Sequence, residues 1–173
     1  MSTKRNWFVL AGCLCLCFLG VSAAHAEHPD CFTLASIQGN YALIGTYGAN
    51  VAAALGERHF DGNGNFTGTF LVNEPTAGST TGARTIITGT QVGTYTVNCD
   101  GTGVITRTLT ASNGVVTQQM DDFIITKATE KGHGFLATAL VDIQRTPSAI
   151  VAGGIFLTRA YTRLPDRDGS STP

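Results

Sequence analysis

The sequence predicts an all-β chain whose antiparallel strands meander up and down and close into a barrel of roughly eight strands. Three observations predict it. Runs rich in Thr, Val, Ile and aromatic residues alternate with period two, the pattern of half-buried strands. Asp-Gly and Asn-Gly pairs recur between these runs, and both favour the positive φ angles of tight hairpins. Beyond residue 26 no segment sustains a helical period, and charged residues make up only 13% of the chain, few for exposed helices. A meander of this size closes into a barrel because closure removes exposed edges; a two-sheet sandwich is the alternative.

The elements follow in order. Lys4 and Arg5 precede an apolar run from Trp7 to Ala24, and Ala24-His25-Ala26 offers the small-x-small pattern of a cleavage site. Residues 1–26 are expected to be a signal peptide and 27–164 a single barrel domain, in a secreted or periplasmic protein. An uncleaved anchor is one alternative. Another is the lipobox-like Leu10-Ala11-Gly12-Cys13, which would place a lipid on Cys13, although the apolar run continues well past it. A membrane association is expected only in those two cases. Asp30 to Ile37 is the one candidate for a short helix or turn. Strands are expected at about 40–47, 53–60, 65–72, 85–98, 103–111, 115–126, 134–144 and 153–162, with a long loop from Asn73 to Arg84. The polar tail 165–173 has no apolar anchor and is expected to be disordered.

Export makes the cysteines readable. Cys13, Cys15 and Cys17 belong to the leader, so Cys31 and Cys99 remain and are expected to form one disulfide across nearly seventy residues; two buried thiols are the alternative. The absence of Cys-x-x-Cys excludes thioredoxin-type redox and zinc-knuckle motifs. Two of the eleven Lys and Arg lie in the leader, leaving nine against twelve Asp and Glu, a formal net charge of −3. Nucleic-acid binding therefore lacks its electrostatic footprint.

The stretch Phe60 to Gly68, FDGNGNFTG, has the opening spacing of a calcium loop at Asp61, Asn63 and Asn65. An EF-hand needs Gly at position six and Glu at position twelve; here those positions hold Phe66 and Val72. The stretch is expected to be a hairpin turn, and its Asp-Gly-x-Gly recurs at Asp100 to Gly103. Together with GTYTVNCDGTG at Gly93 to Gly103 and GNYAL at Gly39 to Leu43, it resembles a family of small exported bacterial proteins of uncharacterised function. The likeness covers residues 38 to 160. It implies a small β-barrel comparable with lipocalins or allene oxide cyclase, and brings no catalytic residues.

Catalytic signals are sparse. No Gly-x-Ser-x-Gly elbow occurs, and His28, His59 and His133 are scattered without metal-ligand spacing, so no cofactor or metal is expected. Neighbours on a strand point to opposite faces, so only one of Asp121 and Asp122 turns inward. Alternation places Arg58 with Phe60, Arg107 with Ile105 and Leu109, and Arg159 with Leu157 and Tyr161. If those faces point inward, the arginines need partners, for which Asp122, Asp142 and Glu57 are candidates. Arg58, Arg107, Arg159, Tyr95, Tyr161 and Asp122 are thus the expected ligand-binding set of a non-enzymatic barrel holding a small, partly apolar or anionic molecule. Tyr41 and Tyr47 are further donors. The competing readings are a register inverted by one residue, or arginines that close the barrel through structural ion pairs. Competing functions are an envelope interaction or inhibitor protein acting through its loops, and a cyclase or isomerase acting on a lipid-derived substrate.

Overall fold

The computed structural model describes residues 31–48, 51–151 and 153–166. Residues 1–30, with the expected leader, Cys13 and His28, and residues 167–173 lie outside the described residues. Eight antiparallel strands form a closed barrel in sequence order: β1 (Gly39–Tyr47), β2 (Ala52–Phe60), β3 (Asn65–Pro75), β4 (Arg84–Val97), β5 (Thr102–Ala111), β6 (Val116–Lys131), β7 (Gly134–Gln144) and β8 (Leu157–Arg163). Closure is made by β8, which pairs with β7 on one side and with β1 on the other, Leu43 opposite Tyr161.

The turns follow from side-chain chemistry. Asp61 Oδ1 accepts from the backbone N–H of Asn63 (2.7 Å) and Asn65 (2.9 Å), while Oδ2 accepts from Asn65 Nδ2 (2.9 Å). Those bonds, the Asn65 side chain first, hold the carboxyl below its usual range. Gly62 and Gly64 supply the left-handed backbone at φ 81° and 98°. The stretch is a hairpin turn between β2 and β3. Asp100 repeats the device, accepting from Thr102 N at 3.0 Å.

The interior is packed along its length in two apolar clusters. At one end Tyr41, Phe60, Phe66, Tyr95, Ile105 and Phe123 pack together. Phe60 meets Tyr41 and Tyr95 edge to face, with centroids 5.6 and 5.1 Å apart. A 3₁₀ turn, Leu34–Ile37, plugs this end with the fully buried Ile37. Cys31 and Cys99 sit at disulfide distance beside it, Cα atoms 4.5 Å apart. At the other end Tyr47, Phe70, Val72, Ile87, Leu109 and Leu157 cluster under Ile150 and Val151 of the β7–β8 connection. Ser148 Oγ holds that cap by accepting from Ile150 N and Val151 N, both at 3.1 Å.

Several boundaries depart from expectation. β3 and β4 stay paired out to Pro75 opposite Arg84, so the long loop shrinks to residues 76–83. β6 runs on to Lys131, and β8 starts at Leu157 because the preceding residues cap the barrel. The largest departure lies in β7, where strict alternation would put Phe135, Ala137, Ala139, Val141 and Ile143 on one side of the strand. The β6–β7 register shifts around Lys127, and β7 changes phase. Ala137 points inward, but from Leu140 onward the buried residues are Leu140, Asp142 and Gln144, while Val141 and Ile143 face solvent.

Replacing Cys99 with Ser should lower the stability of the folded domain by about 2–5 kcal/mol. Urea unfolding of wild type and variant, both without reductant, measures this; coincident curves would contradict a bond between the two sulfurs.

Candidate functional site

Between the two apolar clusters lies a layer of buried charge. Arg58, Arg107, Arg159, Asp121 and Asp142 are all 5% exposed or less, accompanied by buried Gln91, Gln119 and Gln144. Arg107 forks onto Asp121, Nε to Oδ2 at 2.7 Å and Nη2 to Oδ1 at 3.1 Å. Arg159 bridges both acids, its Nη2 2.7 Å from Asp142 Oδ2 and 2.7 Å from Asp121 Oδ1. Tyr161 completes the Asp142 shell by donating its hydroxyl to Oδ2 at 2.5 Å.

Arg58 is held differently. Its Nε and Nη2 donate to Gln91 Oε1 at 3.2 and 2.9 Å, and its guanidinium lies over the Phe66 ring at 5.0 Å and the Tyr161 ring at 5.3 Å. The two carboxylates stand 3.8 Å from its terminal nitrogens, and its buried Nη1 has no hydrogen-bond partner.

Each arginine has a glycine as a cross-strand neighbour. Directly cross-strand, Arg58 faces Gly68, Arg107 faces Gly93 and Arg159 faces Gly45. A Cβ at Gly45 would come within 2.7 Å of Arg159 Cγ and one at Gly68 within 3.1 Å of Arg58 Cγ, whereas one at Gly93 would meet the Phe66 ring at 2.8 Å. Gly68 also pairs with Gln91, so Arg58 on β2 reaches Gln91 on β4 across a strand that carries no side chain between them.

The electrostatics follow from burial and pairing. Burial alone would raise the Asp121 carboxyl, but the Arg159 and Arg107 guanidinia outweigh it and hold the group well below the usual carboxylate range. Burial pushes Arg58 down to about 10, with Arg159 and Arg107 adding to the effect. Burial raises the phenol of Tyr161, which stays a neutral donor. Asp121 is thus held as the carboxylate and Tyr161 as the phenol, and both are engaged within the layer.

The structure therefore gathers Arg58, Arg107, Arg159 and Tyr161 as expected from the strand faces, and corrects the rest of the set. Asp121, in phase with Phe123, is the inward acid. Asp122 faces outward and forms an exposed fork with Arg145 at 2.7 and 2.6 Å. Glu57 is exposed on the outer face of β2. Tyr95 packs at the plugged end and donates to Leu34 O at 3.1 Å, and Tyr41 donates to Ala137 O at 2.7 Å. His59 lies on the outer wall, 2.8 Å from Asn40 Oδ1. Sequence reasoning missed Gln91 and Asp121; the signal for Asp121 was its even spacing from Phe123, masked by the equally apolar Ile124 and Ile125.

Among the described residues no group of three or more His, Cys, Asp and Glu is arranged to hold a metal, and no helix is long and apolar enough to cross a membrane. The class defined by fold and interior is a closed eight-stranded meander barrel with a solid, charge-layered core. Comparison of the chain with family models, with curated proteins and with solved structures finds no match in any of the three.

Asp121→Asn keeps the shape but leaves three guanidinia facing one carboxylate. Breaking a buried pair this way should cost about 3–5 kcal/mol, measured by urea unfolding at neutral pH. The folded-state pKa of Asp121 is depressed, so its contribution is fully present above the unfolded value near ~3.9 and is lost as pH falls below it. Thermal melts should therefore be flat down to about pH 5 and fall steeply below about pH 4, with a shallower acid slope in the Asn variant.

Proposed function

We propose that this chain is an exported, non-catalytic barrel that acts as a protein-binding module through its outer surface. The observation that carries the reading is the filled interior. Apolar side chains and ion pairs occupy the lumen, both ends are capped, and the cavity beside the arginines measures about 20 Å³. A pocket for a drug-sized molecule needs roughly 300–1,000 Å³. An organic ligand inside the barrel, or a lipid-derived substrate positioned there for cyclisation, would require the core to unpack.

The outer wall offers what the interior does not. Ile124, Val141, Ala160, Ile44, Leu55 and Leu71 are successive cross-strand neighbours on β6, β7, β8, β1, β2 and β3. Ile44 and Leu55 are 63% and 57% exposed. A continuous apolar row of this kind marks an interaction surface more often than isolated surface residues do. The opposite outer wall, on β4 and β5, carries Thr at most outward positions, including Thr94, Thr96, Thr106 and Thr108, with Ile86 and Val92 exposed among them. Export is supported by the leader pattern in the sequence and by the cysteine pair at disulfide distance, which persists in oxidising compartments.

The test is photo-crosslinking in the exporting cell, with a benzophenone side chain placed at Leu55 or Val141 and at Thr108 as control. A discrete adduct from the apolar row and none from Thr108 is the expected result, and an adduct of twice the chain's mass would identify a second copy. No adduct, or equal labelling at Thr108, would sink the outer-wall reading. Native mass spectrometry on the exported protein should show no bound organic molecule; one retained in stoichiometric amount would restore the lumenal reading.

A further inference from the structure

We propose that the barrel encloses a binding site for one small monovalent anion of halide size, set against the three buried arginines. The layer holds three guanidinium groups and two carboxylates, all 5% exposed or less, which leaves one positive charge unmatched in the protein interior. An unpaired buried charge is among the costliest features a fold can carry, and arginine does not escape by losing its proton. The buried tyrosines do not supply the missing charge, because burial raises the phenols of Tyr161 and Tyr47 and keeps them neutral.

The cavity has the matching polarity. Its polar lining is Arg58, Arg107, Arg159, Gln91 and Tyr47, the remainder is apolar, and neither Asp121 nor Asp142 borders it. No carboxylate lines the cavity, so an ion there meets cationic and neutral groups alone. Arg58 borders the cavity, and its buried Nη1, 3.8 Å from Asp142 Oδ2, makes no hydrogen bond. Size selects the ligand class. About 20 Å³ holds a single water-sized sphere. A one-atom anion is therefore the largest guest the cavity takes with slight relaxation of its lining, and polyatomic anions such as sulfate or phosphate exceed it.

The first experiment is to refold the full exported domain in sodium bromide, crystallise it from the same salt, and collect anomalous diffraction at the bromine edge. The expected result is a bromine peak in the cavity within hydrogen-bond reach of a guanidinium. Water-like density without anomalous signal overturns the proposal. The second experiment is thermal melting after refolding in sodium chloride or sodium sulfate at matched ionic strength. The melting temperature should rise with the logarithm of chloride above its dissociation constant and respond far less to sulfate. Identical responses to the two salts overturn it. Gln91→Glu places a carboxylate where Gln91 now accepts from Arg58. That variant should melt higher than wild type in chloride-free buffer and lose the chloride dependence; an unchanged chloride response would show that the anion acts elsewhere. Should the variant fail to fold, the wild-type salt comparison and the bromine map decide the matter alone.

Discussion

Asp121 is the point on which the rest of the interior depends. It accepts a fork from Arg107, meets Arg159 at 2.7 Å and faces Arg58 at 3.8 Å, so one carboxylate ties β2, β5, β6 and β8 together across the barrel. Such a layer is a poor source of net stability, since removing charges from water offsets most of what their attraction returns. Its value lies in specificity. A one-residue slip of any contributing strand would carry its arginine or aspartate to the outer face and strand its partner inside. A slip also carries apolar neighbours to the solvent face, and the stranded charges add to that penalty.

The glycines are the other half of that constraint. Each arginine stem crosses the barrel over a cross-strand position that lacks a side chain, at Gly45, Gly68 or Gly93. Glycine weakens a strand by its conformational freedom and by leaving a gap. Here the gap is filled by the guanidinium stem or, on the neighbouring strand, by an aromatic ring, as Phe66 does opposite Gly93. Size alternation around the barrel therefore replaces the usual matching of β-branched pairs.

A solid core leaves the interior little room for a guest. Barrels that carry small molecules reserve their interior for them, whereas here the two end caps and the ion-pair layer leave room for about one atom-sized guest. The outer wall is correspondingly uneven, with an apolar row from β6 round to β3 and threonine on β4 and β5. In a monomer with no further role, that row would be an unexplained hydrophobic exposure.

What the sequence by itself determined is the local part of this protein: the strands, their hairpins and their order. Asp-Gly-x-Gly turns work through hydrogen bonds within five residues, and alternation works within a single strand, so both were legible at Asp61, Asp100 and along β2, β5 and β8. The inward faces of Arg58, Arg107 and Arg159 followed from the same alternation. The tertiary structure alone decided which acids meet them. Asp142 enters the core because the β6–β7 register shifts near Lys127 and β7 changes phase, sending Val141 and Ile143 outward against the hydrophobic rule. Asp121 rather than Asp122 enters because its phase on β6 is set by pairing with β5, not by the run Phe123-Ile124-Ile125, which is apolar on both faces. Whether the lumen is open depends on how eight strands of side chains interdigitate across the barrel, and no single strand contains that information.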